Sequence, residues 1–236
     1  MLADKLWQRG KQEVANLLHE VDARISRRSN KIINDVPLVV QFTTPASAEL
    51  SLTKVLSPIN DAAWPESGAS TAEEYARWAF TMCGMACTAM ALEYFLNVKI
   101  MPVKLAEEAV KYGVYEVSDE EISDMRYREF ATWIKDYGLR ATVYSRLSRA
   151  GIELALSRGQ LVIASVNPNI RGYKTAPIAQ RGGHLVLVTG YDRTASTLTI
   201  NNPSGFVSND SQRQHTMTTI EFAKYFAGRG IVLQKF

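Results

Sequence analysis

At Gly138 the hydrophobic pattern of this 236-residue chain changes its period, and that change limits the architectures open to it. Before Gly138, most apolar residues recur at helical spacing. After it come short β-rich runs, "LRATVYSR", "LVIASV", "HLVLVTGYD", "TLTINNP" and "GIVLQKF", separated by turn residues. A short helix, "GIELALSRGQ", follows the first run, and another, "IEFAKYFAG", precedes the last. Helices first, then sequential strands, is the order of an α+β fold whose helices are segregated from an antiparallel sheet.

The helical half contains one stretch with no polar side. From Cys83 to Asn97, Met85, Cys87, Ala89, Met90, Ala91, Leu92, Tyr94 and Phe95 make the pattern apolar nearly all round, which predicts a buried central helix. Residues 1–30 read as an amphipathic helix appended to a body spanning 31–236, with Leu6, Val14, Leu17, Leu18, Val21 and Ile25 at roughly helical spacing. Such a helix either packs on the body or serves as an arm for self-association. The basic group "RISRR" (Arg24 to Arg28) reads as a solvated face. "VPLVVQFTTP" reads as β-rich, and "SPINDAAWPESGAS" as a loop. "STAEEYARWAF" starts a helix capped by Ser70 or Thr71. "PVKLAEEAVKYG" ends one at Gly113, and "SDEEISDMRYREFATWIKDYG" begins another on a Ser118/Glu121 capping box.

Composition narrows the function classes. Hydrophobic residues are 46% of the chain and charged ones 22%, an ordinary globular balance. A formal net charge of +3 is too small to argue for nucleic acid or a membrane surface. No apolar run approaches the ~20 residues that span a bilayer. The start, "MLADKLWQRGKQEV", has no apolar centre of a secretory signal, so the expected compartment is the cytoplasm. Thiols stay reduced there, and two cysteines are no disulfide framework.

Those two cysteines, Cys83 and Cys87, both lie in "TMCGMACTAM". A cysteine at a loop-to-helix junction meets unpaired backbone N–H groups and the positive end of the dipole, which favour a thiolate. Gly84 leaves room for a substrate carbonyl, and the Cys83 N–H can donate to an oxyanion. Alternatively Cys83 is a small core residue. Cys87, one turn deeper, reads as buried and inert. A shared metal is disfavoured because no second Cys/His pair completes four ligands, and no cofactor is required.

A thiol nucleophile needs a base. Of three histidines, His19 reads as a surface or interface residue of the first helix, and His215 as part of a polar loop. His184 opens the strand "HLVLVTGYD" after a tight turn of Arg181, Gly182 and Gly183. If Leu198 and Ile200 point into the core, Asn202 shares their face and can lie beside His184, whereas Asn201 cannot. An asparagine suffices to hold the ring's tautomer. Taken alone, Asn202-Pro203 reads better as simple turn chemistry.

Taken in order, "CG" heading a buried helix, "LVIASV", "GGHLVLVTGYD", "TLTINNPSG" and "GRGIVLQKF" resemble the bacteriocin-processing, double-glycine-leader cysteine peptidases and their stand-alone relatives, over roughly Val36 to Phe236. The resemblance implies a papain-like fold in which a central helix bearing the nucleophile packs against an antiparallel sheet carrying the base. It implies Cys83 as nucleophile, His184 as base, and a peptide or protein substrate with small residues near the cleavage point. Asn202 stands where the family usually has an aspartate before proline. The family's glutamine about six residues before the cysteine is missing from "YARWAFTMC"; Gln41 matches its context, with an insertion of about 44–80 between it and Cys83. The implied activity is hydrolysis of a peptide bond through an acyl-enzyme. The same triad also fits an acyl transferase, and the displaced glutamine fits a catalytically inactive, peptide-binding relative.

Overall fold

A computed structural model describes residues 2–172 and 181–236 of the chain. It is α+β, with helices packed on a sheet whose strand pairs are all antiparallel. The helical half runs α1 (Leu2–Ile25), the short strand β1 (Lys31–Ile33), α2 (Pro45–Leu52), α3 (Ala72–Trp78), α4 (Cys83–Leu96), α5 (Pro102–Lys111) and α6 (Tyr127–Trp133). The rest runs β2 (Leu139–Tyr144), α7 (Arg149–Ser157), β3 (Leu161–Val166), β4 (His184–Asp192), β5 (Thr197–Asn201), β6 (His215–Thr218), α8 (Thr219–Tyr225) and β7 (Phe226–Lys235). The sheet order is β2-β7-β3-β4-β5-β6, and β1 adds to β4. No single described helix is long and apolar enough to cross a membrane.

The core lies between α4 and the sheet. Every residue from Gly84 to Leu92 is buried, as expected of a helix with no polar side, whereas Tyr94, in the same apolar run, is exposed at the helix's far end. Strand β3 is buried along its whole length and β4 along all but its last residue, which explains their continuous apolar runs. Thr71 caps α3 by accepting the Glu74 N–H, and Gly113, after α5, takes a left-handed φ of 72°.

Four local expectations fail, each for a readable reason. Residues 36–42 form no strand. They are held instead by side chains and turns: Asn201 Nδ2 donates to the Val36 and Pro37 carbonyls, and the Gln41 N–H to Pro203 O. Ser118 does accept the Glu121 N–H as a cap would, but the chain doubles back in a Val117–Ile122 bridge and α6 begins only at Tyr127. His215 opens β6 rather than lying in a loop. Arg28 is not solvated: its side chain is 8% exposed and pairs at 3.7 Å with the buried Glu153 of α7, which Arg149 and Arg193 also approach.

Helix α1 packs on the body with its polar side inward. Gln12 Nε2 donates to Val143 O, and His19 Nε2–H donates to Gly151 O at 3.1 Å with its ring against Tyr144. Asn16, His19 and Ala23 are buried, whereas Val14, Leu17, Leu18, Val21 and Ile25 are exposed. The Leu6 side chain lies outside those described.

Candidate active site

Cys83 is the first residue of α4. The preceding Met82 makes no side-chain capping bond to the first-turn N–H groups. The helix lies across the head of β4: Cys87 Sγ, one turn down, approaches Leu185 O at 3.7 Å. Cys83 is half-buried and Cys87 fully buried, and both are free thiols.

The other wall comes from the start of β4. Gly182 and Gly183 take φ of 102° and 92°, a conformation only glycine adopts readily, and they turn the chain into His184. A Cβ on Gly182 would come within 2.6 Å of Arg229 Nη2, the mobile end of an exposed side chain, so the positive φ rather than space is what calls for glycine here. His184 Nε2–H donates to Asn202 Oδ1 at 2.8 Å. The orientation of that amide is fixed independently, because Oδ1 also accepts the Ser204 N–H at 3.2 Å. An amide oxygen only accepts, so Nε2 carries the ring proton and Nδ1 keeps its lone pair. Asn201, on the alternate face, instead binds residues 36 and 37 and the Gln214 N–H.

Two residues that sequence reasoning missed complete this corner. Ser204 Oγ lies 3.2 Å from His184 Nε2. It accepts from Arg171 Nε at 2.9 Å and Nη2 at 2.7 Å, while Arg171 Nη1 donates to Pro168 O. The serine two places beyond Asn202, in "NPSG", was the available signal; nothing in the sequence pointed to Arg171.

Cys83 and His184 line one cleft of about 300 Å³, together with Thr81, Asp124, Met125, Tyr127, Ser165, Gly183, Leu185 and Arg229. Exposed Asp124 and Arg229 place one negative and one positive side chain on it. Burial pushes the Cys83 thiol above its ordinary pKa, against the expected pull of the helix N-terminus. The backbone amides of Leu185 and Gly84 and the charge of Arg171 draw it back down, and Asp124 raises it. Burial and then Arg171 hold His184 well below the usual imidazole range, opposed by its bond to Asn202. Both shifts favour the uncharged forms, thiol and imidazole. Cys87 is pushed further up, by burial and by the neighbouring Cys83.

The remaining expected site residues have other surroundings. Gln41 is buried, brought back beside the approach to α4 by the folded segment 44–80, but its Nε2 donates to Ala79 O at 2.8 Å and it does not line the cleft. Gly84 is buried: a Cβ there would meet Met125 Sδ at 2.5 Å and Leu185 Cδ1 at 3.1 Å, so its bareness accommodates these side chains.

The Peptidase C39-like family profile matches residues 33–230. No curated protein matches. Among solved structures, a C39-like protein from Bacillus anthracis is 13% identical, covering 88% of this chain and 99% of that one, with a TM-score of 0.52. The peptidase domain of Streptococcus ComA, a bifunctional ABC transporter of a quorum-sensing pathway, is 14% identical, covering 66% and 92%, with a TM-score of 0.44. A double-glycine-motif protease from an AMS/PCAT transporter, in complex with a leader peptide, is 19% identical, covering 66% and 86%, with a TM-score of 0.42.

Proposed function

Because the chain belongs to the Peptidase C39-like family, we propose that it is a cysteine peptidase in which Cys83, His184 and Asn202 carry hydrolysis of a peptide bond. The observation that carries this reading is the doubly bonded Asn202 oxygen, which leaves the imidazole with its Nδ1 lone pair free in a cleft that also contains the Cys83 thiol. As Sγ attacks the carbonyl carbon, its proton passes to Nδ1. The tetrahedral oxyanion takes the N–H of Cys83 at the helix start. When the C–N bond breaks, the proton on Nδ1 goes to the leaving amine. Water, deprotonated by the same nitrogen, then attacks the thioester and releases the acid and the free thiol. Because burial favours the uncharged forms of both groups, proton transfer belongs to the attack itself in this reading.

The substrate is a peptide, or a protein segment extended enough to enter the cleft. Two free thiols suit a reducing, cytoplasmic setting. One observation favours a slower enzyme or a peptide-binding relative: the Gln41 amide donates to Ala79 O rather than lining the cleft, and a missing oxyanion donor typically costs ~10²–10³ in rate. Incubation with a peptide library, read by mass spectrometry, tests the proposal. The expected products sum to the substrate plus one water, and Cys83→Ala abolishes them, a loss of about 10⁴-fold or more. Products carrying an added amine would replace hydrolysis with transfer, and turnover by Cys83→Ala would remove the thiol from the mechanism.

A further inference from the structure

Helix α1 is built the wrong way round for a monomer. At 100° per residue, Gln12, Asn16, His19 and Ala23 fall on one arc and Trp7, Val14, Leu17, Leu18, Val21 and Ile25 on the opposite one. The first arc packs on the body; the second is exposed, from 48% at Val21 to 77% at Ile25. Six large apolar side chains on one helix face form the kind of patch that marks an interaction surface.

We propose that this face pairs with the same face of a second copy of the chain, the two α1 helices antiparallel about a two-fold axis between Leu17 and Leu18. This inference is independent of the peptidase reading. The face is self-complementary about that point. Leu17 meets the partner's Leu17 and Leu18 the partner's Leu18 across the axis, Val14 meets the partner's Val21, and Ile25 lies level with the partner's Gly10. Gly10 lies on the apolar side, and a Cβ there would touch nothing among the described residues, so it leaves space for the larger side chain. The flanks match in charge as well. One edge carries Lys11 and Asp22, the other Glu13 and Arg24. Antiparallel pairing brings like edges together, so Lys11 lies near the partner's Asp22 and Glu13 near the partner's Arg24; within its own chain Asp22 already pairs with Arg158 and Glu13 accepts from Ser145 Oγ, so the partner's cations add to bonds these carboxylates already make. A two-fold contact needs this reciprocity of one patch with itself. A lipid surface fits less well, because the edges are charge-balanced rather than rich in lysine and arginine.

Sedimentation equilibrium on the full chain tests the proposal. Wild type is expected at twice 26.3 kDa in the micromolar range. Leu17→Glu/Leu18→Glu is expected at 26.3 kDa with an unchanged circular dichroism spectrum, since both side chains are exposed in the single copy. Arg24→Glu, which turns two symmetry-related attractions into repulsions, is expected to weaken the dimer about tenfold, and adding Glu13→Lys to restore it. A monomeric wild type, or a dimer indifferent to Leu17→Glu/Leu18→Glu, overturns the interface. Failure of the double charge swap to restore pairing overturns the antiparallel register. A monomer that co-sediments with phosphatidylglycerol vesicles gives the face to a membrane instead.

Discussion

The two walls of the cleft differ in how firmly they are furnished. On the sheet side, His184 is held by Asn202, Asn202 by the Ser204 amide, and the Ser204 hydroxyl by two nitrogens of Arg171. On the helix side, Cys83 stands at an uncapped helix start, Gly84 is occupied by Met125 and Leu185, and Gln41 is turned to Ala79. In the proposed mechanism the base is thus over-determined, whereas the oxyanion would rely on backbone. A site of this kind aims its proton acceptor well and stabilises developing charge less well, so substitutions on the sheet side should cost more than those on the helix side apart from the thiol itself.

Three substitutions sharpen or break that contrast. Asn202→Ala should have the largest effect, lowering kcat/KM by ~10²–10³ because the imidazole loses the acceptor that selects its tautomer. A loss below tenfold would mean that the ring is held by something else. Arg171→Met should lower kcat/KM severalfold and also move its acid limb. His184 must be neutral to accept the proton, and its pKa is depressed partly by Arg171, so activity is lost as pH falls through that depressed value. Removing the cation raises the value and moves the limb to higher pH. An unmoved limb with lower activity would make Arg171 merely structural. Gln41→Ala should be the mildest for catalysis, less than tenfold, while the buried bond it leaves unmade costs ~1–3 kcal/mol of stability in denaturant unfolding. A 10²–10³ loss in kcat with stability intact would place its amide in the oxyanion site after all.

The same division governs what could be read from the sequence. Elements fixed by their own periodicity were legible: the all-round apolar α4, the continuous runs of β3 and β4, and the alternation that separates Asn202 from Asn201. Elements fixed by a distant partner were not. Residues 36–42 have strand-like composition but no neighbouring strand, and Asn201 supplies their bonds instead. Ser118 bonds in the way a helix cap does, yet closes a turn, because one side-chain bond is compatible with both. The amphipathic pattern of α1 defined two faces but not which one meets the body; that follows from Gln12 and His19 finding the Val143 and Gly151 carbonyls. The role of Arg171 is long-range in the same sense, since it reaches across 33 positions to Ser204.

The most direct test of the central claim is reaction with a peptidyl epoxide, mapped by tryptic mass spectrometry in wild type and His184→Ala. A single adduct on Cys83, an untouched Cys87, and a reaction that all but disappears without the imidazole are the predicted result. An adduct on Cys87, or modification of Cys83 at the same rate in both proteins, would contradict it.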